Sequence, residues 1–174
     1  MLVAAIASVV MPEGADPWVA LLCGSRSDLS AMDAALAVLD ELGVERELRV
    51  ISAHRAPGFL ETYVEDAGRR GARVFVCAAG LAAHLAGAVA ARSQWPVIGV
   101  PMPGGVADGL DALLATVQMP PGVPVATVGV GNTRNAALLA AQILAVSDGE
   151  LAARILALRA EQTRRVVEDE QNRT

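Results

Sequence analysis

The chain has 174 residues, enough for one domain with a substantial core, and a net charge of −5 without a basic cluster. That charge balance excludes a surface built for nucleic acid. All 14 basic residues are arginine, which excludes Schiff-base chemistry on lysine. No uninterrupted apolar stretch reaches the length needed to span a bilayer, so we expect no membrane partner.

The N-terminal segment differs in character from the rest of the chain. Its first eleven residues, MLVAAIASVVM, are as apolar as the centre of a secretory signal but lack the positively charged start that such a signal needs. The turn-rich sequence PEGADP follows. We therefore expect residues 1–16 to form a flexible extension, with Met11 as an alternative start, and residues 17–174 to form a single catalytic domain.

The remaining elements alternate between strands and helices. Short apolar runs predict buried strands, and apolar residues at helical spacing predict helices. In chain order they are strand 18–23, a helix through Leu42 that Gly43 ends, strand 47–52, a helix from Pro57, strand 72–78, an alanine-rich helix to about Arg92, strand 96–101, helix 109–117, strand 123–130, helix 135–145 and helix 149–170. Five strands alternating with helices predict an α/β fold, with a parallel sheet covered on both faces and a C-terminal helix.

The two cysteines, Cys23 and Cys77, each lie at the end of one of these apolar runs, where small buried side chains are common. Two cysteines do not make a disulfide framework, and they lack partner ligands for a metal site. They predict buried thiols in a reducing compartment, and so a cytoplasmic protein without a metal ion.

Ligands of such sheets bind beyond the carboxyl ends of the strands. This rule selects five loops, GSRSD, SAHRAP, AAGLAAH, PMPGGVADG and GVGNTRN. In the first loop, Ser25 and Ser27 offer hydroxyls beside helix N–H groups that favour phosphate, and Asp28 suits ribose hydroxyls. The same loop also suits an ordinary helix N-cap by Ser27 or Asp28.

The only two histidines of the chain, His54 and His84, both lie on these loops. His54 can accept and return a proton near neutral pH, and the adjacent Arg55 can hold a phosphate or carboxylate through paired hydrogen bonds. A histidine packed in a loop beside a surface arginine is the alternative. His84 lies one turn into the next predicted helix, where a structural role is the alternative, and Gly80 permits close approach of a ligand.

Together, the motifs GSRSD, SAHRAP, AAHLAG, VQMPPGVPVATV and NAALLAAQIL resemble the N5-carboxyaminoimidazole ribonucleotide mutases, the bacterial form of phosphoribosylaminoimidazole carboxylase. The resemblance runs from about Val19 to Arg165. It implies a three-layer, flavodoxin-like fold and homo-octamers with active sites shared between subunits. It also implies a purine-biosynthesis enzyme that moves a carboxylate from the exocyclic nitrogen to ring carbon C4 of an aminoimidazole ribonucleotide, without metal or organic cofactor.

The resemblance also implies roles for individual residues. His54 is the general acid and base, while Arg55, Ser25 and Asp28 contact the nucleotide. Three further residues belong to the substrate-binding loops: Ser52, Gly80 and His84. We accordingly expect a small-molecule nucleotide substrate.

Several positions depart from the usual motifs of the family. They are Leu29 for tryptophan, Ala56 for threonine, Ala78 and Leu81 for glycines, Ala86 for proline, and a shortened loop over residues 131–135. Leu29 and the short loop are similar to the relative that carboxylates the aminoimidazole ribonucleotide directly with CO2. That relative, however, has no histidine equivalent to His84, and has lysine after the catalytic histidine where this chain has Arg55. We therefore favour the mutase, with the CO2-dependent carboxylase, a diverged paralogue and a non-catalytic nucleotide-binding module as alternatives.

Overall fold

The structure, a computed structural model, describes residues 16–173. Its centre is one parallel sheet with the strand order β2-β1-β3-β4-β5. The strands are β1 (Trp18–Cys23), β2 (Arg46–Val50), β3 (Ala72–Ala79), β4 (Val97–Pro101) and β5 (Ala126–Thr127). This order is that of flavodoxin-like folds, and it confirms the fold class expected from the sequence.

Six α-helices connect and flank these strands. They are α1 (Asp33–Glu41), α2 (Pro57–Arg69), α3 (Leu85–Ala90), α4 (Leu110–Val117), α5 (Thr133–Ala145) and α6 (Gly149–Gln171). Two short 3₁₀ turns, Arg26–Asp28 and Ser30–Met32, precede α1. Pro57 occupies the first turn of α2 as predicted, because its missing N–H has no intrahelical partner there. Gly43 follows α1 with φ of +64°, a conformation that favours glycine.

The sheet separates two hydrophobic cores. Successive side chains of a strand point to opposite faces, and β1 is completely buried on both. Val19 and Leu21 face the core shared with α1, α5 and α6, whereas Ala20 and Leu22 face the core shared with α2 and α3. β1 and β4 are therefore apolar throughout, and β3 departs from this only at Arg73, which is why the sequence shows nearly continuous apolar runs rather than alternation.

Several elements differ from their predicted extents; β2, expected over residues 47–52, spans Arg46–Val50 and so ends two residues earlier. The fifth strand was expected over residues 123–130 but comprises only Ala126–Thr127, which pair with Ile98 and Gly99 of β4. It is an edge strand, and Pro124 has no N–H to donate to a ladder. The third helix ends at Ala90 rather than near Arg92.

The predicted flexible extension over residues 1–16 lies, except for Asp16, outside the described residues. Within residues 16–173, no helix combines the length and the apolar character required to cross a membrane.

Candidate active site

A pocket of about 560 Å³ opens at the carboxyl ends of the strands. Four of the five loops selected from the sequence contribute to its wall. The lining residues are Gly24, Ser25, Ser27, Asp28, Ser52, Ala53, His54, Arg55, Ala79, Gly80, Leu81, Ala83, His84, Leu85, Pro103, Gly104 and Gly105. All seven residues predicted to form the site are among them. The fold thus brings these residues together, while their individual roles remain predictions.

The fifth selected loop, residues 129–135, does not line this pocket. β5 lies at the sheet edge, and two strands, β3 and β4, separate it and the loop that follows it from β1. The loop instead contacts the end of β4, where the backbone N–H of Gly131 donates to the Pro101 carbonyl at 2.8 Å. The side chain of Asn132 accepts from the Asn135 N–H at 3.1 Å and caps α5.

The two histidines meet across the pocket. His54 Nε2 and His84 Nδ1 are 2.8 Å apart, a hydrogen bond between residues that are 30 positions apart in the chain. The rings make an edge-to-face contact with centroids 4.9 Å apart. The sequence predicted that His84 lies one turn into its helix; in the structure it occupies the N-cap position of α3. Both side chains are exposed to the pocket, so a ligand has access to them.

Arg55 is held in place by its own loop and by the first loop. Its Nε donates to Ser52 Oγ at 3.2 Å, and its Nη2 donates to the Gly24 carbonyl at 3.2 Å. These bonds direct a permanent positive charge into the pocket beside His54. A guanidinium fixed in this way can bind a phosphate or carboxylate with little loss of side-chain entropy.

The first loop presents hydroxyl groups and backbone N–H groups. Ser25 caps the 3₁₀ turn Arg26–Asp28, and its Oγ accepts a hydrogen bond from Ser27 Oγ at 3.0 Å. Ser27 Oγ also lies 3.2 Å from a carboxylate oxygen of Asp28. The predicted N-cap role therefore falls to Ser25 rather than to Ser27 or Asp28. Capping and ligand contact are compatible here, because Ser25, Ser27 and Asp28 all line the pocket.

The sequence predicted no site residue in the fourth loop, yet Pro103, Gly104 and Gly105 line the pocket. Gly104 and Gly105 have φ of +110° and +78°, conformations that L side chains rarely adopt. Two adjacent glycines at a strand end are the signal that could have identified this backbone as part of the site.

Leu81 has an unusual backbone for a branched residue, with φ of +55°. This left-handed conformation costs about 1–2 kcal/mol for a residue with a Cβ. It belongs to a turn in which the Ala83 N–H donates to the Gly80 carbonyl at 3.0 Å. The glycine usual at this position in the motif would adopt the same turn without strain.

The other departures from the motif lie away from the pocket wall. Leu29 packs against the core beneath α1, and Ala86 is buried in the core that contains α3. Ala78 is buried within β3. Leu81, where the motif has glycine, is the only one of the departures that lines the pocket.

The chemistry of the pocket is that of imidazole, guanidinium, hydroxyl and carboxylate groups. Within residues 16–173, no group of three or more His, Cys, Asp or Glu side chains is arranged to hold a metal ion. Cys23 and Cys77 are both buried and unpaired with each other, as the sequence predicted. Burial, together with the nearby Asp28 charge, raises the pKa of Cys23 to about 11.

Comparison with known proteins identifies the family. A family model described as AIR carboxylase matches residues 18–165. The chain belongs to the AIR carboxylase family. The match covers all five strands and every residue of the pocket, which confirms the resemblance seen in the motifs.

This member of the AIR carboxylase family is also similar to individual proteins. An N5-carboxyaminoimidazole ribonucleotide mutase of Saccharolobus solfataricus is 50% identical over 139 residues, covering 80% of this chain and 88% of that protein. One from Mycobacterium tuberculosis is 50% identical over 146 residues, covering 84% of each chain. The crystal structure of Treponema denticola PurE superimposes with a TM-score of 0.84 at 26% identity, covering 91% of this chain and 99% of that one.

Proposed function

We propose that this protein is an N5-carboxyaminoimidazole ribonucleotide mutase, an isomerase of purine biosynthesis that moves the carboxylate from N5 to C4 without ATP or a cofactor. The observation that carries the proposal is the contact between His54 and His84 beside Arg55, at the strand ends of a fold shared with mutases. A pocket of about 560 Å³ has the size of a small-molecule site and accommodates one nucleotide.

The nucleotide is anchored by the first and second loops. Arg55 binds an anionic group of the substrate, and its hydrogen bonds to Ser52 and Gly24 hold the guanidinium in one orientation. Ser25 and the backbone N–H groups near it bind phosphate oxygens. Asp28 accepts hydrogen bonds from ribose hydroxyls. Gly80 allows its backbone to approach the base closely.

His54 carries the proton through two half-reactions. Cleavage of the bond between N5 and the carboxylate releases CO2 and leaves a basic nitrogen, which takes a proton from the His54 imidazolium. C4 then attacks the CO2, and neutral His54 removes the proton from C4 so that the ring regains its aromaticity. One proton leaves His54 and one returns, so the enzyme needs no external acid or base.

His84 orients the proton carrier. Two ring nitrogens 2.8 Å apart share one hydrogen, so one of them donates and the other accepts, and the contact fixes the orientation of the His54 ring. The contact uses Nε2 of His54 and Nδ1 of His84, and each ring has a second nitrogen for exchange with substrate or solvent.

Direct carboxylation with CO2 is the alternative for this site. It is favoured by one observation, a phosphoribosylaminoimidazole carboxylase of Schizosaccharomyces pombe that is 51% identical over 137 residues, although this chain covers only 25% of that protein. Of the features that suggested this activity from the sequence, Leu29 and the loop over residues 131–135 lie outside the pocket wall. His84 and Arg55, which favour the mutase, lie within it.

The experiment is a side-by-side assay of the two carboxyl donors. The purified protein is given either the N5-carboxylated nucleotide or the uncarboxylated nucleotide with bicarbonate, and the C4-carboxylated product is followed. We expect faster product formation from the N5-carboxylated nucleotide. Product from only the uncarboxylated nucleotide and CO2 would establish the carboxylase instead. Tight nucleotide binding without product from either donor would point to the diverged paralogue or the binding module.

We further propose that the protein is a cytoplasmic homo-octamer. The exposed apolar side chains around α4 support self-association, since Val106, Leu110, Leu114 and Val117 are all at least 46% exposed. Leu110, Leu114 and Val117 have the spacing of residues on one face of α4, and an exposed apolar helix face is typical of an interface. Light scattering at micromolar concentration is expected to give the mass of an octamer, and a monomer would contradict the assignment.

A further inference from the structure

The fourth loop, residues 103–109, brings an unusual backbone to the pocket. Gly104 and Gly105, which line the pocket, have positive φ, and so do Asp108 and Gly109 at the other end of the loop. The loop closes on itself through a hydrogen bond of 2.8 Å from the Gly109 N–H to the Gly104 carbonyl. The left-handed conformation is unfavourable for Asp108, and such a conformation persists only where surrounding contacts hold it.

Two carboxylates hold this loop. Asp108 Oδ1 accepts a hydrogen bond from the Gly104 N–H at 3.3 Å. Asp111, in the first turn of α4, accepts from the Val106 N–H through Oδ2 at 3.2 Å and from the Ala112 N–H through Oδ1 at 3.0 Å. Asp111 therefore joins the loop to the beginning of the helix that follows it.

Gly105 lies between the two backbone N–H groups that these carboxylates bind. A Cβ on Gly105 would collide with a carboxylate oxygen of Asp111, so this glycine and this aspartate fit against each other. Gly105 is exposed, and among the described residues its own N–H has no hydrogen-bond partner. The loop thus leaves one backbone donor available to a ligand at the pocket wall.

We propose that Asp111 is a positioning residue for substrate binding, which holds Gly105 in place so that its N–H donates to an oxygen atom of the nucleotide. The inference rests on the proposed mutase function. Asp111 does not line the pocket, so it acts through the backbone of the loop and not by contact with the substrate. A donor that is already held in place loses little conformational entropy when the ligand binds.

The test measures binding and turnover separately, with the full-length protein. Calorimetry gives the Kd of the uncarboxylated aminoimidazole ribonucleotide, and steady-state kinetics give KM and kcat for the N5-carboxylated nucleotide. Asp111→Ala is expected to raise Kd and KM about tenfold, the effect of one hydrogen bond. We expect little change in kcat, because the contact is made equally in the ground state and the transition state.

Two control variants separate positioning from a general effect on the fold. Asp111→Asn keeps an oxygen that accepts from the Val106 N–H, so it is expected to bind the nucleotide nearly as the wild type does. Asp33→Ala removes a carboxylate from the first turn of α1, where it favours the helix N-terminus in the same way, and is expected to leave Kd and KM unchanged.

A second pair of variants tests the same hydrogen bond from the donor side, which keeps the test decisive if Asp111→Ala does not fold. Val106→Pro removes the N–H, whereas Val106→Ala removes only a fully exposed side chain. We expect weaker binding in Val106→Pro alone, and no further weakening when Asp111→Ala is added to it.

Unchanged Kd in Asp111→Ala and Val106→Pro would overturn the proposal. So would an Asp111→Asn variant that binds as weakly as Asp111→Ala, or an equal loss of binding in Asp33→Ala. A wild-type protein that binds the nucleotide but forms no product would overturn the proposed function instead, while the Kd values would still decide the role of Asp111.

Discussion

Replacing His54 with asparagine tests the centre of the proposed mechanism. Asparagine retains polar atoms near the His84 ring but cannot carry a proton at neutral pH. General acid and base catalysis contributes about 10²–10⁴-fold to turnover, so we expect His54→Asn to lose an amount in that range. The corresponding rise in the activation barrier is about 3–5 kcal/mol.

The effect of His54→Asn on stability is expected to be much smaller. The side chain is exposed, and its described side-chain interactions are the hydrogen bond and ring contact with His84. A hydrogen bond of this kind contributes about 0.5–1.5 kcal/mol. For a domain of this size, each kcal/mol corresponds to about 2–4 °C in Tm. A melt followed by circular dichroism should therefore show a shift of only a few degrees.

The assay compares turnover of the N5-carboxylated nucleotide by wild type, His54→Asn and His84→Asn, with nucleotide binding measured by calorimetry. His84→Asn removes the partner but keeps the proton carrier, so it should lose less activity than His54→Asn. Turnover of His54→Asn within tenfold of wild type would refute the assignment. A larger loss in His84→Asn than in His54→Asn would reverse the roles of the two residues.

Three other predictions concern anchoring, the thiols and acid stability. Arg55→Lys keeps the charge but loses the forked donors, so KM should rise by about tenfold in steady-state kinetics with kcat less affected. Burial raises the pKa of both Cys23 and Cys77, so neither thiol should react with a disulfide reagent at pH 8 until the protein is denatured, when both should react. Partial burial raises the pKa of Glu47, but hydrogen bonds from two arginines outweigh it and hold the pKa below its ordinary value of 4.5. A carboxyl whose pKa is lower in the folded than in the unfolded state stabilises the fold above pH 4.5, and this stabilisation is lost as the pH falls through the folded-state pKa. In urea titrations, the free energy of unfolding should therefore decrease less on acidification for Glu47→Gln than for wild type.

The sequence alone determined the α/β architecture and identified seven of the residues that line the pocket. Apolar runs and helical spacing predicted the alternation of strands and helices, since these periodicities follow directly from backbone geometry. The strand-end rule then selected SAHRAP and the loop containing His84, because parallel strands place their carboxyl ends along one edge. Arg55 and His54 stood out because few residue types supply a fixed positive charge or an exchangeable proton.

Only the tertiary structure decided which of these loops meet. The same alternation is compatible with several strand orders, and the order β2-β1-β3-β4-β5 places the loop over residues 129–135 outside the pocket. The hydrogen bond between His54 and His84 joins positions that no local pattern relates. The proximity of the Leu81 side chain to the backbone of Gly105 likewise depends on how two separate loops pack. Periodicity specifies local conformation, whereas the distance between side chains on different loops depends on the packing of the whole sheet.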